Sequence, residues 1–240
     1  MSYTNSPMVS CTKLSSNHSG QRTHSIDRIT PHCVVGQCSV ETLGNVFLPK
    51  SRQASSNYGI GVDGRVGMYV EEKNRSWCSS SASNDQRAVT IECASDSKAP
   101  YAFKDVVYNK LIELCTDICK RNGKTKLLWL GDKTKTLNYS PKQDEMLLTV
   151  HRWFADKSCP GSWMYARMGD LAEKVTAALG GQTQAPLDNA PAAWSKDAVN
   201  WALENRLLLG DANGDLKLRE NLTREQFCVM LKRYHDLLQK

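Results

Sequence analysis

Hydrophobic positions along the chain follow two rhythms, one of two residues and one near 3.6, and the switches between them mark out the elements. Residues 28–36 read as a short strand that ends at His32. Two alternating runs, 58–62 and 65–70, flank Asp63-Gly64 and predict a two-residue hairpin, with Tyr58, Ile60 and Val62 on one face. By pattern alone Tyr58 is a core aromatic. Val89, Ile91 and Cys93 alternate with Thr90 and Glu92 in a further strand. A glutamate there needs a partner or a task, and otherwise reads as a solvated edge position. From 102 to 121, Phe103, Val106, Val107, Leu111, Leu114, Cys115 and Ile118 recur at helical spacing, and Asn122-Gly123 ends the run. Residues 127–130 predict a buried strand and 147–150 an extended run. Residues 161–179 predict a helix that buries Met164, Met168, Leu171, Val175 and Leu179. The polar stretches 72–87 and 133–142 read as connections. Residues 1–25, rich in Ser, Thr and Asn, read as loosely packed, with His18 and His24 solvated.

Gly, Gln, Pro and Asn concentrate in 180–191, which is a linker composition. Two helices are predicted beyond it, at 194–208 and 223–239, the second opened by a capping box of Thr223 and Gln226. The chain therefore divides into a domain at 1–179, a linker at 180–191 and a small helical domain at 192–240. Asp211-Ala-Asn213-Gly-Asp215 begins like a calcium loop. Leu216 and Leu222 stand where that loop needs its glycine and its bidentate glutamate, which argues against calcium.

Apolar residues make up 40% of the 240, enough for a packed core. No run approaches the roughly 18 apolar residues of a membrane span. The N-terminus has neither a basic start nor an apolar segment, so the expectation is a soluble chain made in the cytoplasm without a signal peptide, and no membrane partner. The nine cysteines are odd in number, irregularly spaced and free of any CxxC, and so read as reduced thiols. Net charge is +6. Residues 181–240 carry eight basic and eight acidic side chains, so the excess lies wholly in residues 1–180. A mildly basic body favours an anionic partner such as wall polymer. Its cations are scattered and not interleaved with aromatics, which argues against nucleic acid.

The densest chemistry lies at 148–161, where His151 is followed by Lys157, Cys159 and Pro160-Gly161. Imidazole and thiolate are both good zinc ligands, and a looped chain brings the two together. Lys157 places a positive charge beside any anion formed at the metal. A catalytic zinc takes three protein ligands and keeps one position for water. His32, at a rigid strand end, is the best candidate for the third.

Taken in order, Thr-Pro-His32-Cys, Ser-Asn-Tyr58-Gly, Thr-Ile-Glu92, a long helix, Thr-Val-His151-Arg and Lys157-Ser-Cys159-Pro-Gly resemble the type 2 N-acetylmuramoyl-L-alanine amidases. That fold is shared by the zinc amidases of bacteriophage lysins and by the peptidoglycan recognition proteins, and the resemblance covers about residues 25–180. It implies an α/β fold, a mixed sheet flanked by helices, here with a small C-terminal helical domain. It implies Zn2+ held by His32, His151 and Cys159, with Lys157 facing the scissile carbonyl. Tyr58 matches a tyrosine beside the zinc water and Glu92 a glutamate used as base in other branches, which leaves open which of them takes the proton. The implied reaction is hydrolysis of the bond between N-acetylmuramic acid and L-alanine in bacterial peptidoglycan. The implied setting is a phage or prophage endolysin that reaches the wall after holin-type release. The alternative is a non-catalytic peptidoglycan-binding module. A purely structural zinc needs a fourth ligand, and the neighbouring Cys33 is expected on the opposite strand face. The tail resembles a single surface-layer-homology unit. Its implied partners are a secondary wall polymer or a second copy of the chain, with Trp194, Trp201, Phe227 and Leu231 in its core or contact.

Overall fold

The computed structural model describes residues 3–180, 189–210 and 214–239. Its strands are β1 (Val9–Thr12), β2 (His18–Gln21), β3 (Arg28–Cys33), β4 (Tyr58–Ile60), β5 (Val66–Met68), β6 (Asn74–Ser76), β7 (Ala88–Cys93), β8 (Lys126–Leu128) and β9 (Glu145–Leu148). Seven of them form one mixed sheet in the order β1-β5-β4-β7-β3-β9-β8, and β2 pairs separately with β6. All neighbours in the large sheet are parallel except β4 and β5, the two arms of the hairpin. The helices are α1 (Val40–Phe47), α2 (Ala82–Asp85), α3 (Asp105–Arg121), α4 (Lys133–Asn138), α5 (Gly161–Tyr165), α6 (Met168–Ala178), α7 (Lys196–Glu204) and α8 (Arg224–Leu238). Contacts divide the chain into two units, Met1–Thr183 and Gln184–Lys240.

Residue alternation gives the sheet two unlike faces. One carries Ile29, Ile91, Tyr58, Ile60, Met146 and Leu148, all fully buried in the main core with the α3 stripe of Val107, Leu111, Leu114, Cys115 and Ile118. The other carries threonines. Thr30 and Thr149 hydrogen-bond at 2.7 Å, and Asn84 of α2 bridges both at 3.1 Å. Thr90 accepts from the Asn57 amide at 3.0 Å and meets Ser76 at 2.8 Å. These polar groups are buried yet satisfied, so this part of the face holds together through hydrogen bonds, while an apolar cluster of Leu43, Phe47 and Tyr69 covers its β4/β5 side. At the β4/β5 side of the same face the Tyr69 ring lies over Gly59 and Gly67. A Cβ would stand 2.7 Å from a ring carbon at Gly59 and 2.8 Å from one at Gly67, where it is closer still to the hydroxyl, so only glycine admits it.

The structure corrects several expectations. Residues 3–25 are not loose: β1 extends the sheet, and Asn17 and Arg22 are buried. Arg22 donates to Glu72 O at 2.6 Å and Asn57 Oδ1 at 2.9 Å. His18 lies in β2 with Nδ1 accepting from the Gly20 amide at 3.0 Å, and His24 is exposed. The stretch 72–87 holds β6 and α2, and 133–142 holds α4, capped by the Asp132 side chain. The hairpin turns through Val62-Asp63-Gly64. Gly61 accepts from the Gly64 amide at 2.9 Å, and its own amide donates to Arg65 O at 3.0 Å. Only Gly64 of the three has positive φ, +81°, so this is the three-residue turn with a glycine bulge, not the two-residue form. The helix expected at 161–179 is broken into α5 and α6, where Arg167 leaves helical geometry and stacks on Trp163 at 4.0 Å.

The second unit contains α7 and α8. The α8 capping box forms as expected, with bonds of 2.8 and 3.1 Å. Leu207 is its one buried apolar residue among those described. Trp194 is 91% exposed, and Trp201, Phe227 and Leu231 about half, so none of the four is core within the unit. Most of the expected linker, and the Asp211 to Asn213 stretch of the calcium-like loop, lie outside the described residues.

Candidate metal centre

The site stands where the polar face runs out at the strand ends. In the parallel register of β3 and β7, His32 lies directly opposite Glu92, two residues beyond Thr30 and Thr90 on the same face. After β9 the chain enters a 3-10 turn, His151–Trp153, which sets the His151 ring 5.1 Å from that of His32 at 61°. The following loop is tied back by the Arg152 amide donating to Cys159 O at 3.2 Å. That closure puts Cys159 Sγ 3.3 Å from His32 Nδ1. One donor atom from each of His32, His151 and Cys159 lies within 4.8 Å of the others. The structure thus brings together the three residues that the sequence singled out.

Burial sets the charge states. His32 is 1% exposed, and its pKa is pushed down to about 3 by burial and then by the neighbouring His151. Burial and then Lys157 lower that of His151. Both rings are therefore neutral near pH 7, the form that ligates a metal. Cys33 pairs with Cys93 and lies on the apolar face, opposite His32, as expected, while its thiol is near enough to Cys159 for each to shift the other's pKa. The interaction between the two thiols lowers the Cys33 pKa and, with burial, pushes that of Cys159 well up. Two thiols in contact share one proton readily and give up the second with difficulty.

The donor set fits zinc. Two neutral imidazoles and a thiol are nitrogen and sulfur ligands of the right softness, and three of them leave a fourth position open. Of the four buried side-chain atoms without a hydrogen-bond partner among the described residues, His32 Nε2 and Glu92 Oε2 lie here; the other two are Arg28 Nε and Arg75 Nε. Buried polar atoms are rarely left so, which marks this as a place built to hold something.

An open cleft of about 550 Å³ reaches the site, lined by Arg52, Trp77, Cys78, Glu92, His151 and Lys157 among others. Glu92 sits in the central strand and not at an edge; burial pushes its pKa up to about 7, against opposing pulls from Cys78 and Arg52. Cys78, which the sequence reading passed over, donates to Glu92 Oε1 at 3.8 Å. Ser80 meets His151 Nε2 at 3.0 Å. Asp85 pins this loop by accepting from the Cys78 amide at 3.1 Å and the Ser79 hydroxyl at 2.6 Å. Nothing in a polar run read as a connection distinguishes Cys78; only the fold of 72–87 over the strand ends does.

Tyr58 is not in this site. It is paired with Ile91, one register position from Glu92, and so faces the opposite side of the sheet. Its hydroxyl donates to Glu72 Oε1 at 2.7 Å and accepts from the Ser6 amide at 2.8 Å. Glu72 in turn pairs with Arg121 of α3. Tyr58 is a structural member of that buried network.

His32 at the end of β3, with His151 and Cys159 from the segment after β9 and a carboxyl beside them, makes a donor set that fits a metal ion with one position left open. Residues 9–162 match the family described as N-acetylmuramoyl-L-alanine amidase, and the chain belongs to that family. Among solved structures, PlyL is 14% identical, with 69% of this chain and 95% of that one covered at a TM-score of 0.48. The endolysin amidase LysCS from Clostridium intestinale is 15% identical, covering 72% and 98% at 0.44. The hydrolase AmiA from Staphylococcus aureus is 12% identical, covering 72% and 86% at 0.47. No curated protein matches the chain.

Proposed function

We propose that this chain is a zinc-dependent peptidoglycan hydrolase that cleaves the amide between N-acetylmuramic acid and L-alanine, acting at the bacterial wall as a lysin. The observation that carries the reading is the convergence of His32, His151 and Cys159 within 4.8 Å, beside Glu92, in a chain of this family. What zinc supplies when bound is Lewis acidity, which lowers the pKa of water to about 7 and polarises a carbonyl. The chain's own groups do the rest. His32, His151 and Cys159 hold the ion. Glu92, poised near neutrality, takes the proton of the attacking water and returns it to the leaving amine. Lys157, exposed at the cleft, balances the oxyanion. Arg52 and Arg75 also line the cleft and suit the carboxylates of a stem peptide. Digestion of purified walls tests the reaction. New alanine amino groups without new reducing sugars support an amidase, and the reverse overturns it.

Lys157→Ala is expected to fold, retain zinc and lose about two to three orders of magnitude in turnover, with a smaller change in KM. Equal turnover on peptidoglycan would remove Lys157 from the mechanism.

We further propose that the second unit meets a partner, either secondary wall polymer or a second copy of itself. Support comes from its exposed Trp194, Trp201, Phe227 and Leu231, since a unit of this size gains most by covering such surface. A truncation after Gly180 is expected to cleave soluble muropeptides at the full-length rate and to lyse intact cells more slowly. Light scattering and wall pull-down separate the two partners. Monomers throughout, with no wall binding by the tail, would refute both.

A further inference from the structure

His32 belongs to two sets of metal-ligating groups. Besides the set with His151 and Cys159, one donor atom from each of His32, Cys78 and Glu92 lies within 4.8 Å of the others. Neighbouring ligands of a tetrahedral zinc stand roughly 3.3–3.6 Å apart, given bonds of about 2.0 Å to nitrogen or oxygen and 2.3 Å to sulfur. Cys78 Sγ and Glu92 Oε1 are already at 3.8 Å, close to that spacing. Two of the four buried atoms left without partners among the described residues, His32 Nε2 and Glu92 Oε2, are on residues of this second set. His32 Nε2 is the ring nitrogen other than the one facing Cys159, and Glu92 Oε2 is the oxygen other than the one Cys78 holds. The loop that carries Cys78 is fixed by Asp85, so the thiol needs no large movement to serve.

We propose that His32, Cys78 and Glu92 form a second divalent-metal site, filled when zinc is in excess, which silences the enzyme by engaging Glu92. The grouping of these ligands is read from their geometry; the sharing of His32 and the inhibitory consequence rest on the catalytic reading above. Binding releases the Cys78 thiol proton to solvent. With both sets filled, His32 bridges them as an imidazolate and releases its ring proton as well, so the second ion binds more weakly than the first. A carboxylate bound to a metal cannot accept a proton from water, and turnover therefore falls as the second set fills.

The test uses full-length protein stripped with chelator and titrated with Zn2+ by calorimetry and elemental analysis, and with Co2+ by electronic spectroscopy. Wild type is expected to take two equivalents, the second weaker. Cys78→Ser is expected to weaken the second at least tenfold and to shift inhibition by excess Zn2+ to correspondingly higher concentration, measured against its own maximum. Glu92→Gln, which removes the carboxylate and keeps the thiol, should weaken the second equivalent likewise. Cys159→Ser should retain a thiolate-to-cobalt charge-transfer band that the Cys78→Ser/Cys159→Ser double variant lacks. One equivalent in wild type, lost with Cys159→Ser, would overturn the second site and leave the first standing. No bound ion at all would overturn both. A cobalt band that persists in the double variant would assign the thiol elsewhere and defeat the proposal.

Discussion

Cys159→Ser and His151→Ala are each expected to lose the zinc equivalent held by His32, His151 and Cys159, and wall-lytic activity with it. Either change leaves two protein donors, and a zinc held by two is bound far too weakly to survive dialysis. The thiolate matters most, because serine at this pH stays protonated and is a poor ligand. The pH dependence follows from the same groups. His32 is held neutral down to about pH 3, so it does not compete for protons in mildly acid solution. Cys159 does: its thiol pKa is pushed well up by Cys33 and by burial, so taking up the ion must expel a proton. Below the thiol pKa, zinc affinity should therefore fall about tenfold per pH unit. Elemental analysis after dialysis at stepped pH measures this directly. A Cys159→Ser protein that lyses walls without bound metal would end the zinc reading.

What could be read from sequence, and what could not, divides along the two faces of the sheet. The apolar face announced itself by alternation and helical spacing. Val89, Ile91 and Cys93, and the Val107 to Ile118 stripe, are all buried as their periodicity implies. The polar face gave no such signal, because Thr30, Thr90, Thr149, Asn57 and Asn84 are buried through hydrogen bonds and not through apolar contact. For the same reason residues 3–25 and 72–87 looked like surface. Arg22, Asn17 and Asp85 resemble loop residues until their partners are known.

The proposed metal ligands were legible because histidine and cysteine within one short loop are rare, and because a strand end is a rigid mount for the third. Cys78 was not, since one cysteine among nine carries no information without its neighbours. Tyr58 was misplaced for a different reason. Period-two alternation fixes which residues of one strand share a face, but only the register between β4 and β7 says whether that face is the one bearing Glu92. Pairing with Ile91 puts Tyr58 on the core side.

That register makes opposite forecasts for two conservative changes. Tyr58→Phe should leave turnover unchanged and cost about 1–3 kcal/mol of stability, because the Ser6 amide loses its buried acceptor and Glu72 a donor. Glu92→Gln should lose about two to four orders of magnitude in turnover, the usual worth of a general base, with zinc still bound. Its effect on stability has the reverse sign. In the metal-free protein the Glu92 pKa is raised from an ordinary 4.5 to about 7, so the folded state holds a proton that the unfolded chain releases. The contribution of Glu92 to wild-type stability is therefore fully present below about pH 4.5, is lost between there and pH 7, and stays absent above, a difference of up to about 3 kcal/mol. Glutamine cannot ionise and escapes that penalty. Stripped Glu92→Gln should then be more stable than stripped wild type at pH 8 and equal to it near pH 4, in urea unfolding with chelator present. Should Tyr58→Phe abolish turnover while Glu92→Gln retains it, the proton would be handled from the other face of the sheet, and the register of β4 against β7 would have to be wrong.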